Sequence, residues 1–206
     1  MAFQKVAPAC FAALLLAGCA AGPREYLKSG YVPPARVAVL PLNNLTTDLD
    51  GPAIVQFWFD QRLSDKKGYS TVPLAEVETA LREQFGVTDG GQLSAVAPAK
   101  LGERLRADAL IYGELLEFNY QTAGFLNARK VRAKFRMVDA ATGELLWECE
   151  GVGANSSAAA SSSQALKAGL AALGSQLAEK ATGSPLRYET WDMVWNAIEF
   201  LPAARR

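Results

Sequence analysis

Few side chains in this 206-residue chain can do covalent or proton-transfer chemistry. Histidine is absent, which removes His-based triads, His-ligated zinc and the commonest general base. Three cysteines are present, Cys10, Cys19 and Cys149, and none belongs to a CxxC pair. No HExxH, GxSxG, GxGxxG or phosphate-loop run occurs. Asp48 and Asp50 lie close together, but the EF-hand ligand pattern does not continue from them. A hydrolase would have to use Asp48, Asp50 and Glu114, and nothing in the sequence brings these carboxylates together. The two aspartates read instead as loop solvation and negative charge ahead of a helix. No enzyme, metal site or cofactor is expected.

The remaining candidates are binding residues. Asn43 and Asn44 follow a strand and precede a helix start at Gly51. Strand ends beside a helix N-terminus are where α/β folds take ligands, so the two amides and the Gly51 backbone could hold a polar group. Their other reading is as turn formers. Trp191, Val194, Trp195 and Ile198 lie at helical spacing near the C-terminus. Two tryptophans on a short helix must bury themselves or meet a partner, another subunit or a membrane surface. The candidate contact residues are therefore Asn43, Asn44, Asp48, Asp50, Trp191 and Trp195.

Cys19 needs its context. An apolar stretch, Phe11 to Leu16, follows the charged Lys5 and runs into Ala17-Gly18-Cys19. Charged start, short apolar segment and small residues make a secretory signal peptide over residues 1–18. The stretch is too short to span a bilayer. Leu16-Ala17-Gly18-Cys19 resembles the lipobox of bacterial lipoproteins. That resemblance implies a Cys19 that is diacylated, becomes the new N-terminus and is acylated again, and two or more chains hold a protein firmly to a membrane. Ala20, where an Asp would retain the protein in the inner membrane, implies an outer-membrane anchor facing the periplasm. Cys149 is then left without an intrachain partner. A buried thiol is expected, an intermolecular bridge being the alternative.

Composition sets the outer bounds. Half the residues are hydrophobic and the formal net charge is zero. A real core is possible, and no basic excess exists for nucleic acid. Residues 19–34, broken by Gly22, Pro23, Gly30, Pro33 and Pro34, read as a lipidated tether, with Tyr26, Leu27 and Tyr31 apolar enough to dock. Arg36 to Leu42 is a nearly continuous apolar strand, suited to burial on both faces. Gly51-Pro52 opens a largely apolar helix that closes at Lys66-Lys67-Gly68. Tyr69 to Val72 is a short strand, Leu74 to Phe85 a helix ended by Gly86, Asp89 to Gly91 a loop, and Pro98 the start of a third helix.

Asp108 to Asn119 then reads as a long strand, Tyr120 to Asn127 as a loop, and Ala128–Val138 with Glu144–Val152 as a hairpin. In that hairpin Val131, Ala133, Phe135 and Met137 alternate with Arg132, Lys134 and Arg136. Leu145, Trp147 and Cys149 alternate with Glu144, Glu148 and Glu150. One face is apolar; on the other a basic strand lies beside an acidic one, which opposes a one-residue slip. The basic row reads as self-neutralised, an anion site being the alternative. Asn155 to Ser163 is an Ala/Ser-rich tract. Leu166, Leu170, Leu173 and Leu177 repeat at helical spacing and are expected to pack on the sheet.

Three segments carry a resemblance over residues 24–180: Val37–Asn44, Lys67–Pro73, and Arg106–Tyr112 with Val138–Trp147. Together they resemble a bacterial lipoprotein family of unknown function, similar in fold to the N-terminal domain of TolB and the periplasmic domain of the curli secretion lipoprotein CsgG. The elements read along the chain come in the order β-α-β-α-α-β-β-β-α, and the resemblance implies an α/β fold with a mixed five-stranded sheet and packed helices. Helical crossovers between the early strands agree with parallel pairing and tight late turns with antiparallel pairing. The expected spatial order is 2-1-3-4-5, over residues 35–182, followed by an aromatic tail at 183–206.

Two functions compete. The first is a non-enzymatic outer-membrane lipoprotein working through contacts with other envelope proteins or itself, as an accessory subunit of an export or assembly complex. Its contact surfaces would be the edge at Tyr69–Val72, the Asn43–Asp50 loop and the aromatic tail. The second is a periplasmic ligand- or peptidoglycan-binding lipoprotein.

Overall fold

The computed structural model describes residues 25–204 apart from 124–125, 159–161 and 182–184. The signal segment and Cys19 lie outside the described residues. The described strands are β1 (Tyr26–Leu27), β2 (Arg36–Val39), β3 (Asn43–Asn44), β4 (Ser70–Thr71), β5 (Ala109–Ala123), β6 (Leu126–Asp139) and β7 (Leu145–Ala158). The helices are α1 (Gly51–Lys67), α2 (Leu74–Ala80), α3 (Pro98–Leu105), α4 (Ser162–Ala181) and α5 (Arg187–Ile198). Across the sheet the order is β1-β7-β6-β5-β2-β4, with β3 also on β5. Pairing is parallel around β2 and β3 and antiparallel from β5 to β1. The mixed sheet and the expected order, with the first long strand internal, are both present.

Two short strands raise the count from five to seven. Tyr26–Leu27, read as tether, adds to the free edge of β7. Lys28 N–H donates to Leu146 O at 2.9 Å, and Lys28 Nζ meets Glu144 Oε2 at 2.6 Å. Asn43–Asn44, read as loop, resumes pairing on β5 after Pro41, which has no N–H to give. A two-residue strand carries no readable periodicity, so neither could be seen as alternation.

Local chemistry explains the helix ends. Pro52 sits in the first turn of α1, and Gly68 closes it at φ +73° with its N–H on Leu63 O and Ser64 O. The helix read over Leu74–Phe85 is α2 plus a wider last turn, Leu81–Phe85, closed by Gly86 at φ +65°. The Asp89–Gly91 loop begins a six-residue 3-10 turn, Gly90–Ala95, for which Asp89 and Gln92 form a capping box.

The sheet buries both faces. Val37, Val39, Ile111, Val131, Phe135, Met137, Trp147 and Cys149 pack with α1 and α5. Phe59 of α1 stacks on Phe135 at 4.1 Å between ring centroids. Ala38, Leu40, Leu110 and Val138 face α2, the 3-10 turn and α3. Neighbours of opposite parity in β2 thus enter different cores, as a strand buried on both faces requires.

The long hairpins run further than their composition suggests. The expected loop at Tyr120–Asn127 is largely strand, since β5 continues to Ala123 and β6 begins at Leu126. A bulge at Leu116 shifts the register between Leu115 and Glu117. The Ala/Ser-rich tract is likewise β7 as far as Ala158. Polar composition masked these extensions because it shows no apolar alternation, whereas the strands stay in register from Tyr120–Arg129 to Ala123–Leu126 and from Arg129–Asn155 to Leu126–Ala158. The leucine face of α4 does not pack on the sheet: Leu166, Leu170, Leu173 and Leu177 are all exposed.

The tail docks on its own domain. Helix α5 lies across β7, and its approach is set by two glycines. A Cβ on Gly153 would collide with Glu189 O, and one on Gly151 with Met193 O. The end of the chain is also bonded down, with Tyr69 O–H donating to Pro202 O at 2.8 Å and Ala204 N–H to Lys67 O at 2.8 Å. No helix among the described residues is long and apolar enough to cross a membrane.

Candidate functional site

The Asn43–Gly51 segment is organised by its own side chains. Asn44 Nδ2–H donates to Asp48 O at 2.8 Å, and Asn44 Oδ1 accepts from Thr46 N–H at 3.0 Å and Thr46 O–H at 2.8 Å. Asp48 Oδ1 accepts from Asp50 N–H at 3.0 Å and Gly51 N–H at 2.7 Å, so it caps the start of α1. Asn44 and Asp48 are thus engaged in the turn, while Asp50 is exposed. Asn43 turns elsewhere. It is in register with Glu114 and lines a cleft of about 220 Å³ with Gly91, Tyr112, Glu114, Lys134, Arg136 and Glu148.

That cleft lies along the charged face of the hairpin. Lys134 Nζ meets Glu148 Oε2 at 3.0 Å, and Arg132 Nη1 meets Glu150 Oε1 at 3.0 Å. The basic row is therefore largely neutralised by its neighbour. Arg136 differs: its guanidinium lies 5.0 Å from the Tyr112 ring centroid, and no carboxylate among the described residues pairs with it. Burial pushes the Tyr112 phenol up, opposed by the Arg136 charge. The cleft falls below the roughly 300–1,000 Å³ of ordinary small-molecule sites.

Trp191 and Trp195 lie with α1 and α5 on the opposite face of the sheet from the Asn43 cleft. The same helix buries Met193, Val194, Ala197 and Ile198, while Trp191 and Trp195 stay 40% and 47% exposed. They join an aromatic ridge with α1. Trp58 meets Trp191 edge-on at 6.0 Å, and Phe57 meets Trp58 edge-on at 5.3 Å. The Arg62 guanidinium sits 3.6 Å from the Trp191 centroid and 5.9 Å from that of Trp195. Arg187 lies 5.4 Å from the Trp58 centroid.

Phe57, Trp58 and Arg62 are the contact residues that the sequence reading missed. Phe57 and Trp58 fall in the helix read there only as largely apolar. Val55, Phe59 and Leu63 form the buried stripe at i, i+4, i+8, and Phe57 falls off it and is 48% exposed. That departure from helical spacing was the available signal. Arg62, a charged residue on the stripe, gave none. Exposed Trp with Arg beside it is the composition that dominates protein–protein hot spots.

A second polar cluster ties the distal sheet to the last helices. Arg129 Nη2 meets Glu179 Oε1 at 2.7 Å, and Arg129 Nε lies 3.0 Å from Glu189 Oε1. Tyr120 O–H donates to Glu179 Oε2 at 2.7 Å. Burial alone would raise the Glu179 carboxyl. Bonds from Arg129, Tyr120 and the Leu186 N–H outweigh it and hold Glu179 below the usual range. The Cys149 thiol, buried beside Trp147, is pushed up to about 11 mainly by desolvation.

Known proteins share this chain's pattern and fold. A "Putative lipoprotein NMB1124/NMB1162" of Neisseria meningitidis serogroup B is 32% identical over 114 residues. That alignment takes in 55% of this chain and only 52% of the relative, about half its length. The crystal structure of lipoprotein GNA1162 from Neisseria meningitidis is 27% identical, with a TM-score of 0.55, over 71% of this chain and 99% of that one. The PelC dodecamer from Paraburkholderia phytofirmans is more distant, 17% identical with a TM-score of 0.46, over 70% of this chain and 88% of that one. Residues 25–187 match the family described as "Putative lipoprotein GNA1162-like". This span takes in every described strand and the helices α1 to α4, and the chain belongs to the GNA1162-like lipoprotein family.

Proposed function

We propose that this chain is a non-enzymatic lipoprotein, anchored through Cys19 to the outer membrane and facing the periplasm, that works as an accessory subunit of an envelope export or assembly complex. The observation carrying this reading is the exposed ridge of Phe57, Trp58, Trp191 and Trp195 around Arg62. Large aromatic groups held rigid by their own domain lose little entropy on binding, and they desolvate a large area. The test is capture of the full chain from cross-linked envelopes in mild detergent, alongside Trp191→Ala/Trp195→Ala. A defined envelope protein accompanies the unsubstituted chain and falls at least ten-fold with the double variant. Equal recovery from both chains would set the reading aside.

A second reading, a periplasmic ligand- or peptidoglycan-binding lipoprotein, is favoured by Arg136, which lines the cleft with Asn43 and makes no ion pair with a carboxylate among the described residues. A ligand held there raises the melting temperature with its concentration. Melts with peptidoglycan fragments that shift for the unsubstituted chain but not for Arg136→Gln would move the assignment to the cleft.

A further inference from the structure

The charged face of the β5–β6–β7 sheet is mostly matched, base to acid. Lys130 and Arg132 reach Glu117, Arg132 also reaches Glu150, and Lys134 reaches Glu148. Three polar side chains break that pattern, and all three line the same cleft of about 220 Å³. The Asn43 amide, the Glu114 carboxylate and the Arg136 guanidinium make no ion pair or side-chain hydrogen bond among the described residues. The cleft exists because the 3-10 turn Gly90–Ala95 is held against the connection from β2 to β3. A Cβ on Gly90 would collide with the backbone of Leu42 and Asn43, and one on Gly91 would stand 3.0 Å from Asn43 Oδ1. Small residues there bring the turn close and leave the Asn43 amide open to the cleft.

The sheet forms the opposite wall. Tyr112 stands across from Arg136, and Glu114 across from Lys134. Glu114 and Arg136 are therefore diagonal neighbours on adjacent strands, roughly 7–8 Å apart at the backbone. Long side chains can meet at that separation, yet Arg136 lies over the Tyr112 ring instead, 5.0 Å from its centroid. Stacking uses the flat face of a guanidinium and leaves its N–H fork free for a carboxylate. The charges of the cleft then decide the class of ligand. Glu114 and Glu148 against Lys134 and Arg136 sum to zero. A simple anion would meet two carboxylates and a simple cation two bases, and like charges brought together are costly. A ligand that carries both charges meets neither penalty. The Asn43 amide can donate to such a ligand or accept from it. The volume, below that of drug-sized sites, suits an amino acid or a dipeptide.

We propose that this cleft binds a small zwitterion, an α-amino acid or a dipeptide, with Arg136 on its carboxylate and Glu114 on its ammonium group. The proposal rests on the ligand-binding reading above and narrows it to one chemistry. The test titrates the full chain, in a non-ionic detergent at neutral pH, with alanine and with alanyl-alanine, and follows the amide resonances of Gly91 and Gly113 by NMR. Both probes shift these resonances to saturation. N-acetyl-alanine and alanine amide, each lacking one of the two charges, bind more weakly by about ten-fold or more, and the same loss follows Arg136→Gln or Glu114→Gln. Both residues are exposed, so the two variants keep the fold. Glu114→Gln separates the possibilities by sign, because a site for anions alone binds more tightly once that carboxylate is gone. Tighter binding of the dipeptide would identify a peptide end as the source of the ligand, and tighter binding of alanine a free amino acid. Equal binding of alanine and N-acetyl-alanine, a gain in affinity with Glu114→Gln, or no shift with either probe would overturn the proposal. The ligand-binding reading would outlive that result if peptidoglycan fragments still raise the melting temperature of the unsubstituted chain and not of Arg136→Gln. It falls as well if they do not.

Discussion

The Arg62 guanidinium lies 3.6 Å from the ring centroid of Trp191, and this stack joins α1 to α5 beneath the exposed aromatic ridge. Arg62 is only 8% exposed, so its charge is largely removed from water and the ring faces contribute what water would have supplied. The same contact that holds the tail on the domain also sets the geometry of the surface offered to a partner.

Breaking the stack destabilises the fold measurably. Arg62→Ala is expected to cost about 1–2 kcal/mol, from the lost cation–π contact and the lost packing of the side-chain stem. In a double-mutant cycle with Trp191→Ala, read by urea denaturation, the two changes couple by about 0.5–2 kcal/mol. Additive costs would mean that the stack contributes nothing beyond the separate packing of each residue.

Gly153→Ala separates the docking of α5 from the rest of the sheet. The new Cβ meets the Glu189 carbonyl, which belongs to helix backbone and cannot move alone. A cost of about 1–3 kcal/mol is expected from the forced shift of α5. Gly169→Ala on α4, where nothing stands in the way, is neutral or slightly stabilising through helix propensity. Thermal melts of the two variants provide the comparison, and equal melting temperatures would contradict the close approach of α5 to β7.

Much of the fold was legible in the residues. The unbroken run Val37–Leu40 signalled a strand buried on both sides, and its side chains do enter two different cores. Alternation in Val131–Met137 and Leu145–Cys149 placed Trp147 and Cys149 on the apolar face, where both are buried. The strand extensions were hidden because they lack apolar alternation and Tyr120, where the first begins, is held by a distant partner, Glu179, fifty-nine positions away. The site was less legible. Trp191 and Trp195 were expected to share a face with Val194 and Ile198, yet the aliphatic pair is buried and the tryptophans stand at its margin. Their partner Arg62 could not be inferred, because the docking of α5 across β7 rests on the absence of side chains at Gly151 and Gly153.

Acid loosens the distal end of the sheet. The Glu179 carboxyl in the folded protein is held below its ordinary value of 4.5, despite a burial that acts the other way. A depressed folded value means that the contribution is fully present above about pH 4.5 and is lost as pH falls through the folded value. Glu117, held down by Lys130 and Arg132 against its own burial, has the same sign. Denaturation midpoints between pH 7 and pH 3 should therefore fall for the unsubstituted chain. Glu179→Gln should start lower and fall less steeply. Parallel curves would contradict the assignment to Glu179.

Cys149 is expected to be inert while the protein is folded. Its thiol is buried and pushed up to about 11, so almost no thiolate exists near neutral pH. Its labelling by a thiol reagent at pH 7.5 should follow the global unfolding rate and become fast in denaturant. Fast labelling of the native chain would contradict its burial beside Trp147.

The most direct test of the central claim is position-specific photo-cross-linking of the full chain in intact envelopes. A photoreactive residue in place of Trp195 should form a discrete covalent adduct with an envelope protein. The same probe at Glu83, exposed behind α2 on the far side of the sheet, should form none. Adducts of equal yield at both positions, or none at Trp195, would contradict a function carried by the aromatic ridge.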